Sequence, residues 1–218
     1  MSDPRLLAGL ALLASIQGAT ASDFDRPTLP RFYLNVGAAG LFYDEGAKMA
    51  LLGTPVPGAR VGIKDVATVA IEAGYFLTPN IAASLTAGYP PLSKVTGAGS
   101  VQSLGTLGKT VGGPVGASIH YHFDGLGPFR PYIGGGVAGL VGFDEKDGAM
   151  QRLKVKNTLG PMLQAGVDYM LSERWGLFVD VKKSFLSTVA TGSVGGVPAK
   201  ARVTIDPLVV HSGVTFRW

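Results

Sequence analysis

The sequence predicts an all-β protein, an eight-stranded antiparallel transmembrane β-barrel with short periplasmic turns and longer extracellular loops. Apolar residues alternate with polar or small ones along most of the chain, as expected when one face of each strand meets lipid. Short and long breaks alternate between these segments, and this asymmetry is typical of outer-membrane barrels. The chain also ends on an aromatic residue, Trp218, which closes an alternating segment.

The composition agrees with strands that face lipid. The 218 residues have a mean hydropathy of +0.29 and only 16% charged residues, with no long apolar run after the N-terminus. The 32 glycines disfavour helices and suit curved strands. The lack of cysteine excludes disulfides and thiolate metal sites. Basic residues are scattered despite a net charge of +4, so no nucleic-acid partner is expected.

The N-terminus has the features of an export signal. Arg5 precedes an apolar stretch, Leu6 to Ile16, and the ending Ala19-Thr20-Ala21 suits cleavage. The stretch is too short to anchor the chain in a bilayer. We therefore expect residues 1–21 to be a cleaved signal peptide and residues 22–218 to form one outer-membrane barrel domain.

Two kinds of break separate the predicted strands. The short breaks are 77–80, 124–128 and 171–174, and the long ones are 44–62, 94–108, 144–156 and 192–199. The strands predicted between them are 31–43, 63–77, 80–94, 109–123, 129–143, 156–171, 174–190 and 199–218. An even number of strands returns both termini to the periplasm.

Residue parity assigns the outward face of each strand. Aromatic residues on this face gather at the short-turn ends, where an interfacial girdle is expected. These residues are Phe123, Phe129, Tyr169, Trp175 and Trp218. Phe216 and Trp218 at the end of the last strand are predicted to form a C-terminal assembly signal, with the barrel-assembly machinery as its partner.

The opposite parity places charged and polar residues in the lower and middle lumen. We predict a polar plug formed by Glu72, His120, Arg130, Asp168, Asp180, Lys182 and Arg217, with His122 and His211 on the same face. Buried charges need partners, so the acids are expected to pair with the lysine and the two arginines. A barrel of eight strands has room only for side chains or one small ligand.

Inward residues nearer the long loops are apolar. They are Leu41, Leu92, Leu140, Met162, Leu186, Ile205 and Val209, and together they predict a hydrophobic upper lumen. Each of them, taken singly, is also a residue type that simply fills space in a narrow lumen.

Prolines lie within or near several strands, toward the long-loop ends. They are Pro90, Pro91, Pro114, Pro161 and Pro207. Because proline donates no ladder hydrogen bond, one interpretation is a lateral opening in the wall beside the apolar lumen, at Pro90, Pro114, Pro161 and Pro207. The other interpretation is that these prolines end strands at the membrane surface.

Several segments resemble the outer-membrane protein W (OmpW) family. They are Phe129-Arg-Pro-Tyr-Ile-Gly-Gly-Gly-Val137, Gly166-Val-Asp-Tyr-Met170, Ile205-Asp-Pro-Leu-Val209, Thr78-Pro-Asn-Ile81, Arg174-Trp175 and the terminal aromatic residue. The resemblance implies an eight-stranded barrel with a hydrophobic channel for small hydrophobic compounds, from which lateral escape into the bilayer has been proposed. One branch of the family is associated with alkane uptake. The chain departs from the family in a glycine-rich stretch, Gly108 to Gly116, and in loops poor in aromatic residues.

Passive transport of a small hydrophobic solute, without cofactor or metal, is therefore the leading functional hypothesis. The alternative is a structural barrel whose surface contacts lipopolysaccharide, phage or host. Basic residues beside the long loops suit lipid phosphates, namely Lys146, Lys154, Lys156, Lys200 and Arg202. Enzymatic activity is not expected, because the three histidines do not lie at the outer end of the lumen with a nucleophile. A soluble lipocalin-like carrier is the remaining alternative.

Overall fold

The computed structural model describes residues 30–43, 46–51 and 54–218. The predicted signal peptide, residues 1–21, lies outside these ranges. In the part of the chain that is described, no helix is long and apolar enough to cross a membrane.

Alternating segments form strands throughout the described ranges. In chain order they are β1 (Phe32–Phe42), β2 (Gly46–Leu51), β3 (Thr54–Pro55), β4 (Ala59–Ile63), β5 (Val66–Phe76), β6 (Ile81–Gly88), β7 (Leu92–Gly99), β8 (Thr106–His122), β9 (Phe129–Asp147), β10 (Met150–Val155), β11 (Thr158–Met170), β12 (Trp175–Ser184), β13 (Ser187–Val194), β14 (Val197–Thr204) and β15 (Leu208–Arg217). A short 3-10 helix, Gln102–Leu104, precedes β8.

Eight of these strands close into an antiparallel barrel, as predicted. The order around the ring is β8-β6-β5-β1-β15-β12-β11-β9, and β9 pairs back to β8. The first and last strands meet: Phe32 and Trp218 exchange two backbone hydrogen bonds, each 3.0 Å long. Closure pairs the first strand with the last, so neither is left as an open edge, as a lipid environment requires.

The outer surface is apolar and carries the predicted aromatic girdle. Phe123, Phe129, Tyr169, Trp175 and Trp218 are all exposed at the short-turn end. Neighbouring rings touch, with centroids 4.9 Å apart for Phe129 and Tyr169. The proposed role of Phe216 and Trp218 in assembly stays a prediction, although both rings belong to this girdle.

The three short turns lie where the sequence predicts them, but the four long segments are not irregular loops. They contain β2 to β4, most of β7 with the start of β8, the outer end of β9 with β10, and the tip of the β13–β14 hairpin. Several glycines with positive φ lie in the turns between these outer strands or at their ends. Gly195 and Gly196, for example, have φ angles of +57° and +82° at the tip of the β13–β14 hairpin.

These outer strands extend the barrel wall beyond the membrane. β7 and β4 continue the sheet from β8, and a second sheet has the order β10-β13-β14-β2-β3. Three predicted strands bend where they leave the barrel: 80–94 divides at 89–91, 174–190 at 185–186, and 199–218 at 205–207.

The alternation of inward and outward side chains continues through the bends at 185–186 and 205–207, but it is inverted at 89–91. Leu186 and Ile205 remain buried inside. Across Pro90 and Pro91 the inward side changes, so that Ser93 faces a cavity while Leu92 is 53% exposed. The prediction that Leu92 lines the lumen is therefore wrong, because a local irregularity turns every later side chain to the other face.

Candidate functional site

A buried ion-pair cluster crosses the middle of the lumen. Lys182 on β12 contacts two carboxylates, Glu72 on β5 at 2.8 Å and Asp180 on its own strand. Glu72 also accepts hydrogen bonds from the Tyr33 hydroxyl at 3.1 Å and the Thr86 hydroxyl at 2.9 Å. Four strands are thus joined through one carboxylate, as expected for a charge that must be compensated away from water.

A glutamine completes this cluster on its other side. The Gln164 amide donates to Asp180 at 2.7 Å and to Glu72 at 3.2 Å, and its carbonyl accepts from the Ser118 hydroxyl at 2.7 Å. The Tyr132 hydroxyl donates to Asp180 at 2.9 Å. Gln164 and Tyr132 have the inward parity of their strands, but the pattern of charged residues and histidines does not include them. Neutral polar side chains on the same parity are the signal that indicates both residues.

The histidines belong to this polar packing. His120 Nε2 lies 2.9 Å from the hydroxyls of both Ser84 and Ser118, and its ring stacks on Tyr132 at 5.3 Å. His122 packs against Tyr132 at 4.7 Å. His, Asp and Glu do not gather into a group of three suited to a metal ion anywhere in the described ranges.

The lower lumen holds a second ion pair. Arg217 contacts Asp168 at 2.5 Å and lies over the Phe76 ring at 5.2 Å from its centroid. Arg130, predicted to pair with a lumen acid of the plug, instead lies 3.6 Å from Asp124 at the short turn. The predicted plug residues therefore form two buried centres, while Arg130 sits at the barrel rim.

An apolar cavity of about 40 Å³ lies directly above the ion-pair cluster. Lys182 and His211 form its floor. Five of the predicted lumen residues line it: they are Leu41, Leu140, Met162, Leu186 and Val209. We call this space the inner cavity.

A larger cavity of about 100 Å³ lies within the extracellular extension. Its walls come from outer strands of both sheets, including Val61, Leu107 and Leu153, and from Ile205 in the bend before β15. We call it the outer cavity. Leu140 is common to the walls of both cavities, so it occupies the boundary between them.

Asp206 fixes the two bends that carry Leu186 and Ile205. Its carboxylate accepts a hydrogen bond from the Leu186 amide at 2.7 Å, and its backbone carbonyl accepts from Lys183 Nζ at 2.6 Å. The Ile205 amide donates to the Leu186 carbonyl at 2.9 Å. Asp206 has a φ of +25°, which is uncommon for a residue with a side chain.

The wall beside the inner cavity is interrupted between β6 and β8. The register of these strands ends at Ala87, and β7 resumes the pairing with β8 at Leu92. We call the wall between these points, residues 88–91 facing 112–114, the proline seam. Pro114 in this seam lines the inner cavity.

Close packing takes the place of a regular ladder in the proline seam. Pro114 has no N–H to donate, and the Gly112 amide reaches the Pro91 carbonyl at 3.4 Å. A Cβ on Gly113 would lie 2.9 Å from the Gly88 carbonyl oxygen, so only glycine allows this approach.

The other two predicted prolines lie in a wall that keeps its hydrogen bonds. The Pro161 carbonyl accepts from the Phe185 amide, and the Pro207 carbonyl accepts from the Ser184 amide, both at 3.0 Å. The interruption predicted from the prolines is therefore concentrated at Pro90 and Pro114.

Comparisons with known proteins agree with this architecture. The chain is 33% identical over 179 residues to the dibenzothiophene metabolism operon protein PahQ of Pseudomonas aeruginosa, covering 82% of this chain and 84% of that protein. It is 33% identical over 164 residues to the outer membrane protein AlkL of Ectopseudomonas oleovorans, covering 75% and 71%.

Two solved structures share the fold. The outer membrane protein OprG of Pseudomonas aeruginosa superposes with a TM-score of 0.81 at 22% identity, over 87% of this chain and 96% of OprG, which supports the fold alone. AlkL in lipid bilayers superposes with a TM-score of 0.69 at 27% identity, over 93% and 97%. The model of the OmpW family matches residues 31–218. This protein of the bacterial outer membrane therefore belongs to the OmpW family.

Proposed function

We propose that the barrel is a passive outer-membrane channel for small hydrophobic molecules. A solute enters the outer cavity from the cell surface, passes Leu140 into the inner cavity and leaves sideways through the proline seam into the bilayer. The observation that carries this proposal is the pair of apolar cavities stacked above a polar, cross-linked floor.

The cavities provide a route through a layer that an apolar solute enters poorly. Removing apolar surface from water contributes about 25 cal/mol per Å². The walls are built mainly from aliphatic side chains such as Leu140, Met162 and Ile205. They hold a solute through this non-directional effect, and its own concentration gradient drives net movement.

The floor argues against an axial exit to the periplasm. Below the inner cavity, Lys182, Glu72, Asp180 and Gln164 bond to one another across the lumen. Opening this floor would separate buried charges, and breaking such a pair costs about 3–5 kcal/mol. An apolar solute offers no polar groups to compensate.

The proline seam supports a sideways exit. It adjoins the inner cavity at Pro114 and lacks the regular pairing found elsewhere around the ring. Fewer hydrogen bonds have to be broken there than at Pro161 or Pro207. Unpaired backbone in a membrane is tolerated where it lines a cavity.

The name of one relative supports an apolar solute. PahQ, which is named for a dibenzothiophene metabolism operon, shares 33% identity with this chain. Dibenzothiophene is a small polycyclic compound with little polar surface, the chemistry that cavities lined by aliphatic side chains accept.

Uptake by cells that lack or express the barrel tests this function. Initial rates are measured for radiolabelled solutes graded from polar to alkane-like. We expect a gain for apolar solutes only. Leu140→Arg should remove most of that gain, on the order of tenfold, because a charge at the boundary between the cavities must be desolvated when a solute fills them.

The same substitution at Leu126 is the matched control. Leu126 is exposed in the short turn between β8 and β9, away from both cavities and the proline seam, so Leu126→Arg should leave uptake close to that of the wild type. Both variants must show the heat-modifiable gel mobility of a folded barrel. Equal uptake by the Leu140→Arg barrel and the wild type would contradict the channel, and no gain for any solute would favour a structural surface protein.

A further inference from the structure

Three lysines lie side by side on neighbouring strands of the extracellular extension. Lys94 on β7 is opposite Lys109 on β8, and Lys109 is opposite Lys146 on β9. All three are exposed. We call them the lysine row.

No carboxylate neutralises the lysine row. Among the described ranges, the ion pairs involve other residues, and none of these three ammonium groups has an acid within 4.0 Å. Directly opposed residues in a sheet have Cβ atoms about 4.5–5.5 Å apart, and like charges in that position destabilise the sheet. Asp144, exposed on the same strand as Lys146, offsets only part of the positive charge.

The lysine row lies at the upper border of the apolar band. The strand segment from Tyr121 to Val111 is about 33 Å long at about 3.3 Å per residue. At a tilt of about 40° this segment rises about 25 Å, which is the height of the lipid-facing band of such barrels. Lys109 is two residues N-terminal to Val111, on its extracellular side. Leu92, which is opposite Val111, has its apolar side chain exposed.

We propose that the lysine row binds the phosphate groups of lipopolysaccharide in the outer leaflet. The glycolipid anchor of lipopolysaccharide carries phosphates at the level of the headgroups, and its acyl chains lie below them. Phosphates placed over the row offset the repulsion between the lysines, while the acyl chains cover exposed apolar residues such as Leu92 and Tyr89.

The row differs from the other basic residues of the extension. In the described part of the second sheet, basic residues meet at most in a pair, Arg202 opposite Lys48. Lys154 and Lys200 both face Thr191 and are separated by a full strand. Three adjacent ammonium groups can contact the phosphates of one headgroup at the same time, whereas separated ones cannot. This inference is independent of the channel function.

The test compares two triple variants that remove the same charge. Lys94→Gln/Lys109→Gln/Lys146→Gln removes the row, and Lys154→Gln/Lys200→Gln/Arg202→Gln removes exposed charges from the other sheet. Each full-length barrel is reconstituted in phosphatidylcholine nanodiscs and titrated with purified lipopolysaccharide. We expect the row variant to lose at least about tenfold in affinity, the control to lose less than about twofold, and Lys→Arg at the three row positions to retain binding.

Two further titrations distinguish the sources of phosphate. The row variant and the wild type should bind dephosphorylated lipopolysaccharide equally weakly. The affinity for phosphatidylglycerol, added at equal charge, should differ little between the row variant and the wild type. Equal binding of intact lipopolysaccharide by the row variant and the wild type would overturn the proposal. Equal dependence on phosphatidylglycerol would overturn the assignment to lipopolysaccharide and leave a general anion site.

Discussion

Lys182 is an ammonium group that two carboxylates share inside the barrel. It contacts Glu72 and Asp180, and all three side chains are nearly inaccessible to water. A buried charge of this kind contributes to stability only while its partners are present. The cluster therefore holds the floor of the inner cavity in one arrangement.

Lys182→Met should lower the free energy of unfolding by about 3–5 kcal/mol, because the two carboxylates lose their counter-charge. Lys200→Met, at an exposed position, should leave it nearly unchanged. Denaturant unfolding in detergent, followed by tryptophan fluorescence, measures both. Equal midpoints for Lys182→Met and the wild type would show that the cluster does not carry this stability.

Asp206 is a residue whose backbone and side chain both position the cavity wall. Asp206→Ala removes the acceptor of the Leu186 amide and places alanine at a φ of +25°, which it adopts less readily than aspartate or asparagine. We expect this variant to lower both stability and uptake of apolar solutes. Asp206→Asn keeps an acceptor and tolerates this φ, so it should retain most of both, and equal losses in the two variants would contradict this role.

Among the elements, the hairpin of β9 and β10 is joined by side chains. Asp147 accepts hydrogen bonds from the Arg152 amide at 2.8 Å and the Leu153 amide at 3.0 Å. Glu145 accepts from the Val155 amide at 3.3 Å. These carboxylates replace a backbone ladder and hold β10 beside the outer cavity, which Leu153 lines.

The two amides lower the pKa of Asp147 below its usual 3.8. Because the folded pKa is the lower one, this contribution to stability is complete above the unfolded pKa and is lost as the pH falls through the folded pKa. An NMR titration of the carboxyl carbon should place its midpoint below 3.8. A midpoint at or above that value would show that the amides do not stabilise the carboxylate.

Substitution of the same carboxylate tests the hairpin at neutral pH. Asp147→Ala should increase hydrogen exchange at the Arg152 and Leu153 amides, because both lose their acceptor. Asp144→Ala, at an exposed position three residues earlier on β9, is the control and should leave their exchange unchanged. Unchanged exchange in Asp147→Ala would show that this carboxylate does not hold β10 against β9.

Strand parity predicted the barrel and most of the lumen, since each face repeats every second residue. Parity remained correct for Leu186 and Ile205, because the bends in which they lie keep the alternation of inward and outward side chains. It failed at Leu92, because Pro90 and Pro91 invert the faces. The partner of Arg130 depended on which acid the β8–β9 turn brings close, and residue periodicity carries no such information.

At the scale of the whole molecule, the lumen is apolar in the half near the extracellular end and polar and cross-linked in the half near the short turns. The outer and inner cavities meet at Leu140, and the ion-pair cluster lies beneath them. If the floor stays closed, the solute must leave through the wall, and the proline seam adjoins the inner cavity. Exit by this route therefore requires movement between β6 and β8 at this level.

A reversible disulfide across this wall tests that claim most directly, since the chain has no cysteine of its own. Ala87→Cys/Val115→Cys joins the last register pair below the proline seam, and Ala83→Cys/Ile119→Cys joins the same two strands nearer the short turn. The measurement is the initial uptake of an apolar solute with each pair oxidised and then reduced. We predict that oxidation lowers uptake at 87/115 but not at 83/119, and that reduction restores it. Full uptake with the 87/115 disulfide intact would contradict exit through the proline seam.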